Sequence, residues 1–82
     1  MIDAARLQTD LLRLFKDALF LEVDSPTLDL FEEGVLDSLT FVELLVQLEN
    51  AYGVKVSLES LDTAKFRTIE LIARFVEQEA AA

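Results

Sequence analysis

The sequence predicts an all-α fold, a small three- to four-helix bundle with a long loop between its first and second helices. Apolar residues recur at three and four across residues 3–21 and again after Thr68, the spacing of a buried helical stripe. The one alternating stretch, Val54-Lys55-Val56-Ser57-Leu58, has no second strand to pair with, so extended loop is expected there. With 82 residues and 52% hydrophobic content, a single domain over 1–82 with one modest core is expected.

Helix one is expected over residues 3–21, with Leu7, Leu11, Leu14, Phe15, Ala18 and Leu19 on the inner stripe and Gln8, Asp10, Arg13, Lys16 and Asp17 on or near the wet side. Residues 22–37 hold the only proline, Pro26, and one of two glycines, Gly34, and show no sustained period, which marks a long loop. Long ordered loops in compact domains tend to be functional. Leu28, Leu30, Phe31, Val35 and Leu36 are apolar anchors that pin this one to the core.

Helix two is expected over residues 38–51, capped by Asp37 or Ser38 and stopped by Gly53. Thr40-Phe41-Val42-Glu43 also fits a capping box, which leaves the start open by a residue or two. Ser57 or Ser60 is expected to open a short helical turn around residues 59–64. Thr68 then caps a last helix with Ile69, Leu71, Ile72, Phe75 and Val76 facing inward, and the tail 79–82 frays.

Composition narrows the function. Sixteen acidic against seven basic residues give a net charge of −9, a field that repels nucleic acid and anionic lipid surfaces and suits protein partners with basic patches. Cysteine and histidine are both absent, which removes disulfides, thiolate and imidazole metal sites, the usual general base at neutral pH and the Cys- or Ser-plus-His nucleophiles. An enzyme is therefore not expected, and a reducing cytoplasm fits. The N-terminus carries Asp3 and no unbroken apolar run, unlike a secretory signal, and no stretch is long enough to span a bilayer.

Two acidic motifs fail on inspection. Asp29 and Glu33-Gly34 fall at positions one, five and six of a calcium loop, but Phe31 and Thr40 occupy positions three and twelve. Glu32-Glu33 are adjacent in a loop with nothing that makes them converge for acid–base work. Lys65, Arg67 and Arg74 read as partners for the excess acid.

Helix two is more apolar than a core stripe requires. Seven of the ten residues from 39 to 48 are apolar, and at about 100° per residue they divide into two arcs. Phe41, Leu44, Leu45 and Leu48, continued by Tyr52, face the core; Leu39, Val42 and Val46 form a second, offset arc next to the helix start. That second arc either lies at the surface, where a partner or apolar cargo would sit, or is covered by the long loop and the short third helix. At the helix mouth, Ser38 reads either as a simple N-cap or as an anchor for a phosphodiester, held where unpaired N–H groups and the positive dipole end favour an anion.

Gly34-Val35-Leu36-Asp37-Ser38-Leu39, followed by Val42-Glu43-Leu44-Leu45-Val46-Gln47-Leu48-Glu49-Asn50, resembles the phosphopantetheine attachment region of acyl carrier proteins, a D-S-L core with a V-E-L helix behind it. The resemblance extends over nearly the whole chain, through the Asp29-Leu30-Phe31 anchors, Tyr52-Gly53 and Thr68-Ile69. It implies the acyl-carrier fold and a covalent 4′-phosphopantetheine on Ser38, whose thiol holds a thioester-bound intermediate. It further implies that Asp37 helps a phosphopantetheinyl transferase place magnesium and cofactor, and that Leu39, Glu43 and Val46 face partner enzymes.

Thr40 and Phe41 stand where fatty-acid-synthase carriers continue with another acid, and Gln47 is neutral, so hydrophobic contact through Phe41 or Leu39 is expected to matter more than charge. Gly34 to Ser38, Leu48-Glu49-Asn50 and Phe66-Arg67-Thr68 look more like discrete aminoacyl or D-alanyl carriers and the carriers of polyketide or nonribosomal-peptide pathways. The implied partners are the transferase, an adenylating or acyl-loading enzyme, and a downstream acyltransferase, ketosynthase or condensation enzyme, served by a monomeric shuttle without membrane insertion. The alternative is a helical interaction module that docks non-covalently through the second arc, with Ser38 only a cap.

Overall fold

A computed structural model of the chain describes residues 4–56 and 62–81, which form α1 (Ala4–Ala18), α2 (Ser38–Tyr52), a 3-10 turn (Thr63–Phe66) and α3 (Ile69–Ala81). Among these residues there is no strand, as expected for an all-α chain. Residue 3, residues 57–61 with Ser57 and Ser60, and residue 82 lie outside the described residues.

The stripe on α1 buries Leu7, Leu11, Phe15 and Leu19 in a line at four-residue spacing, with Leu14 and Ala18 half-buried beside it. The helix stops at Ala18, short of the expected 21. There Phe20 turns left-handed, at φ 58°, and the Leu19 and Leu21 N–H groups both donate to the Phe15 carbonyl, at 3.2 and 2.9 Å. The left-handed residue that closes the helix is a phenylalanine, in the kind of position that usually holds glycine. The turn brings Leu21 and Val23 back against the core and leaves the Phe20 ring 87% exposed.

The loop is pinned as its apolar residues required. Leu30 and Leu36 are buried, and Phe31 and Val35 pack against the core, while Leu28 is half-buried without joining it. The Leu36 N–H donates to the Leu30 carbonyl at 2.9 Å, the Leu30 N–H to the Arg67 carbonyl at 2.7 Å, and the Glu70 N–H to the Pro26 carbonyl at 3.0 Å. The loop is thereby stitched to the start of α3. Asp29 reinforces the seam: its Oδ1 accepts the Phe31 and Glu32 N–H groups, and its Oδ2 pairs with Arg67 at 2.8 Å. Arg74 pairs with Glu70 on α3 at 3.4 Å, whereas Lys65 sits 5.9 Å over the Phe75 ring and not on an acid.

α2 begins at Ser38 because Asp37 caps it. Asp37 is extended, at φ −110° and ψ −175°, and its Oδ1 accepts the Thr40 N–H at 2.8 Å. The Thr40–Glu43 capping box therefore does not operate. Gly53, left-handed at φ 70°, closes the other end by donating its N–H to the Glu49 carbonyl at 2.8 Å. Of the short helical turn expected around 59–64, residues 59–61 lie outside the described residues; from Thr63 to Phe66 the chain forms a 3-10 turn, which the Asp62 carboxylate caps through the Ala64 N–H at 3.0 Å. Val54 to Val56 carry no regular structure, in keeping with extended loop.

Thr68 caps α3 through the Leu71 N–H at 3.1 Å. Ile69, Ile72 and Val76 are buried as expected, together with Ala73, which the apolar spacing had not singled out; Leu71 and Phe75 are half-buried. α3 is helical through Ala81. Four rings cross the core: Phe31 to Phe41 at 5.6 Å and Phe41 to Phe66 at 5.3 Å meet edge to face, and Phe66 to Phe75 at 4.9 Å is tilted. They tie the loop, α2, the 3-10 turn and α3 into one packed unit.

Two outcomes follow. Phe20→Gly should raise stability in urea titrations by about 0.5–1 kcal/mol, because relief of an L-residue held left-handed outweighs the extra freedom of glycine in the unfolded chain. The second concerns pH. Asp29 is held below the usual 3.8, chiefly by the Glu32 N–H with Arg67 adding to it, and Asp37 below 3.8 by the Thr40 N–H. A depressed carboxyl stabilises the fold fully above its unfolded value and loses that contribution as pH falls through the folded one. The melting temperature should thus fall as pH drops below 3.8, and Asp29→Asn and Asp37→Asn should each flatten that fall.

Candidate functional site

The mouth of α2 gathers the residues singled out by sequence. Ser38 is the first helical residue and is exposed. With the Thr40 N–H taken by Asp37, the serine is relieved of capping, and its hydroxyl has no hydrogen-bond partner among the described residues. The reading of Ser38 as a simple N-cap is thereby corrected. A hydroxyl at this position stands over the unpaired amides and positive end of the helix, without a structural task of its own. Ser25 offers a contrast, since its Oγ lies 2.9 Å from the Thr27 hydroxyl and accepts the Thr27 N–H.

The second arc is a surface. Leu39 is 71%, Val42 46% and Val46 50% exposed, and Glu43 is exposed between them. A shallow cleft of about 170 Å³ runs beside it, lined by Val42, Leu45, Val46, Glu49 and Val56. The alternative in which loop and third helix cover these side chains does not hold. Phe41 requires the opposite correction: expected at once in the core and in partner contact, it is 6% exposed and wedged between Phe31 and Phe66. It cannot reach a partner without unpacking the ring stack. A roomier opening of about 430 Å³, lined by Leu12, Arg13, Lys16, Asp17, Glu22, Val23 and Asp24, includes none of the α2 residues.

The arrangement suits a covalent phosphodiester. The Ser38 oxygen is accessible, the helix dipole favours an added anion, and an arm leaving Ser38 meets an apolar face rather than a wall. The Asp37 carboxylate beside it is ionised at neutral pH and opposes a second anion, a conflict that a divalent cation would relieve during attachment. When bound, 4′-phosphopantetheine supplies the thiol that a chain without cysteine lacks.

Comparison with known proteins agrees with this chemistry. The family model described as a phosphopantetheine attachment site matches residues 9–76, which contain Asp37, Ser38 and all of α2. The D-alanyl carrier proteins of Streptococcus pyogenes serotype M1 and of serotype M49 (strain NZ131) are each 38% identical over 74 residues, covering 88% of this chain and 92% of theirs. Such proteins bear a covalent 4′-phosphopantetheine and are carriers, with catalysis left to other enzymes. On a match of this extent, the chain belongs to the phosphopantetheine-binding carrier protein family.

Proposed function

We propose that Ser38 is the attachment residue and that the chain carries an aminoacyl or related acyl group as a thioester between enzymes of a biosynthetic pathway. The observation that carries the assignment is the division of labour at the helix mouth: Asp37 caps, and Ser38 is left exposed with its hydroxyl uncommitted. Similarity to D-alanyl carrier proteins favours a small aminoacyl cargo over a fatty acyl chain. Polyketide or nonribosomal-peptide intermediates are the second reading, favoured by the Leu48-Glu49-Asn50 and Phe66-Arg67-Thr68 runs.

In this proposal the chain's own residues supply address and reach. Leu39 and Val46 offer apolar contact, and Glu43 sets the sign of the charge a partner must present. Asp37 assists the transferase at the attachment step through its charged carboxylate. Tethering keeps the cargo at high effective concentration before each enzyme in turn. The partners are a phosphopantetheinyl transferase, an adenylating or acyl-loading enzyme and a downstream acyltransferase, ketosynthase or condensation enzyme, met by a monomer in the cytoplasm. Among the described residues no helix is long and apolar enough to cross a membrane.

Incubation with coenzyme A and a broad-specificity transferase should raise the intact mass by about 340 Da, and Ser38→Ala should remove the shift; modification that survives in the variant sinks the assignment. Leu39→Glu and Val46→Glu should slow loading by an adenylating partner at least tenfold while leaving the melting temperature within a few degrees of the parent, because both side chains are half or more exposed. A large loss of thermal stability in both would place them in the core instead.

A further inference from the structure

The loop ahead of α2 closes on itself at Leu30 and Leu36 just before it reaches Ser38. Leu30 is fully buried, donates its N–H to the Arg67 carbonyl at 2.7 Å and accepts the Leu36 N–H at 2.9 Å. The two ends of the 30–36 span thus meet at one place in the core, immediately before the Asp37 cap, with Phe31 and Val35 packed against the core between them. On the outer side of that place, Asp29 Oδ1 accepts the Phe31 and Glu32 N–H groups at 3.1 and 3.0 Å. Its Oδ2 accepts from Arg67 Nε at 2.9 Å and Nη2 at 2.8 Å. Arg67 therefore grips the loop twice, by its carbonyl and by its guanidinium, across 38 residues of sequence. The other described ion pair, Arg74 with Glu70, joins neighbours on one helix.

We propose that the Asp29–Arg67 pair is a latch that sets the placement of residues 30–37 and so presents the Ser38 hydroxyl to the transferase, a role that rests on Ser38 being the attachment residue. Asp29 and Arg67 are positioning residues. Their side chains are 27% and 47% exposed, a range in which an ion pair adds little to global stability. The backbone bonds from Leu30, Leu36 and Glu70 survive substitution of either side chain, so the bundle persists while the segment carrying Asp37 gains freedom. Group transfer is sensitive to displacements of about 1 Å, and it is there that the latch acts.

The test uses the full chain, coenzyme A and a broad-specificity phosphopantetheinyl transferase, with initial rates read by intact mass and melting temperatures recorded alongside. Asp29→Asn, which keeps an Oδ1 acceptor for the loop amides, and Arg67→Gln should each lower kcat/KM about tenfold, mostly through kcat because the docking arc is untouched. The double variant should be no slower than either single one, as for two halves of one device. Arg67→Lys should recover part of the loss, and Arg74→Gln, which removes the same charge elsewhere, should match the parent. Unchanged rates, losses that add in the double variant, or losses that simply track melting temperature would overturn the latch while leaving Ser38 in place. An unmodified parent, or a mass shift that persists in Ser38→Ala, would instead overturn the attachment assignment and the latch with it.

Discussion

Leu30 commits its side chain and both of its backbone groups to the interior, and the rest of the molecule is arranged around that commitment. Its side chain lies in the cluster formed by α1, α2 and α3, its amide reaches the segment before α3, and its carbonyl reaches the residue before the α2 cap. A loop of 19–37 would otherwise be a poor platform, because each unrestrained residue adds conformational entropy. Fastened at this point and at Pro26, it becomes a rigid connection that delivers α2 in a definite place.

The aromatic stack completes that connection from the inside. Phe31 comes from the loop, Phe41 from α2, Phe66 from the 3-10 turn and Phe75 from α3, and ring contact, edge-to-face for the first two pairs and tilted for the third, joins each to the next. The face of α2 that meets these rings is apolar for packing, and the adjoining face is apolar without being packed. A helix buried on one side and greasy on the other exposes surface that a small domain has no internal reason to keep. Placed beside an uncommitted serine on a chain of net charge −9, that surface has the chemistry of an address.

Division of labour also accounts for what the chain lacks. It has neither histidine nor cysteine, so it holds no imidazole base and no thiol, and a carrier requires neither. What it requires is a hydroxyl that can be reached and a face that can be recognised. In the proposed role, Asp37 serves the first by taking the capping role, and the offset between the two arcs of α2 serves the second. Strain is confined elsewhere, at the end of α1, where Phe20 turns left-handed so that Leu21 can return to the core.

By itself the sequence determined the helical class, the inner residues of each helix and the anchored loop, because these are properties of spacing and of local residue chemistry. Leu11, Phe15, Leu44, Leu48, Ile69, Ile72 and Val76 repeat at helical intervals, and all are buried. What spacing cannot encode is competition between neighbours or contact at a distance. Whether Asp37 or Ser38 caps α2 depends on which oxygen the Thr40 amide meets. Which way Phe41 faces depends on rings brought from residues 31 and 66. Arg67 finds Asp29 only after the loop has folded back on the start of α3, and the end of α1 at Ala18 follows from where Leu21 must go. Those choices belonged to the folded structure, since each is decided either by competition between neighbouring groups or by groups far apart in the chain that only packing brings together.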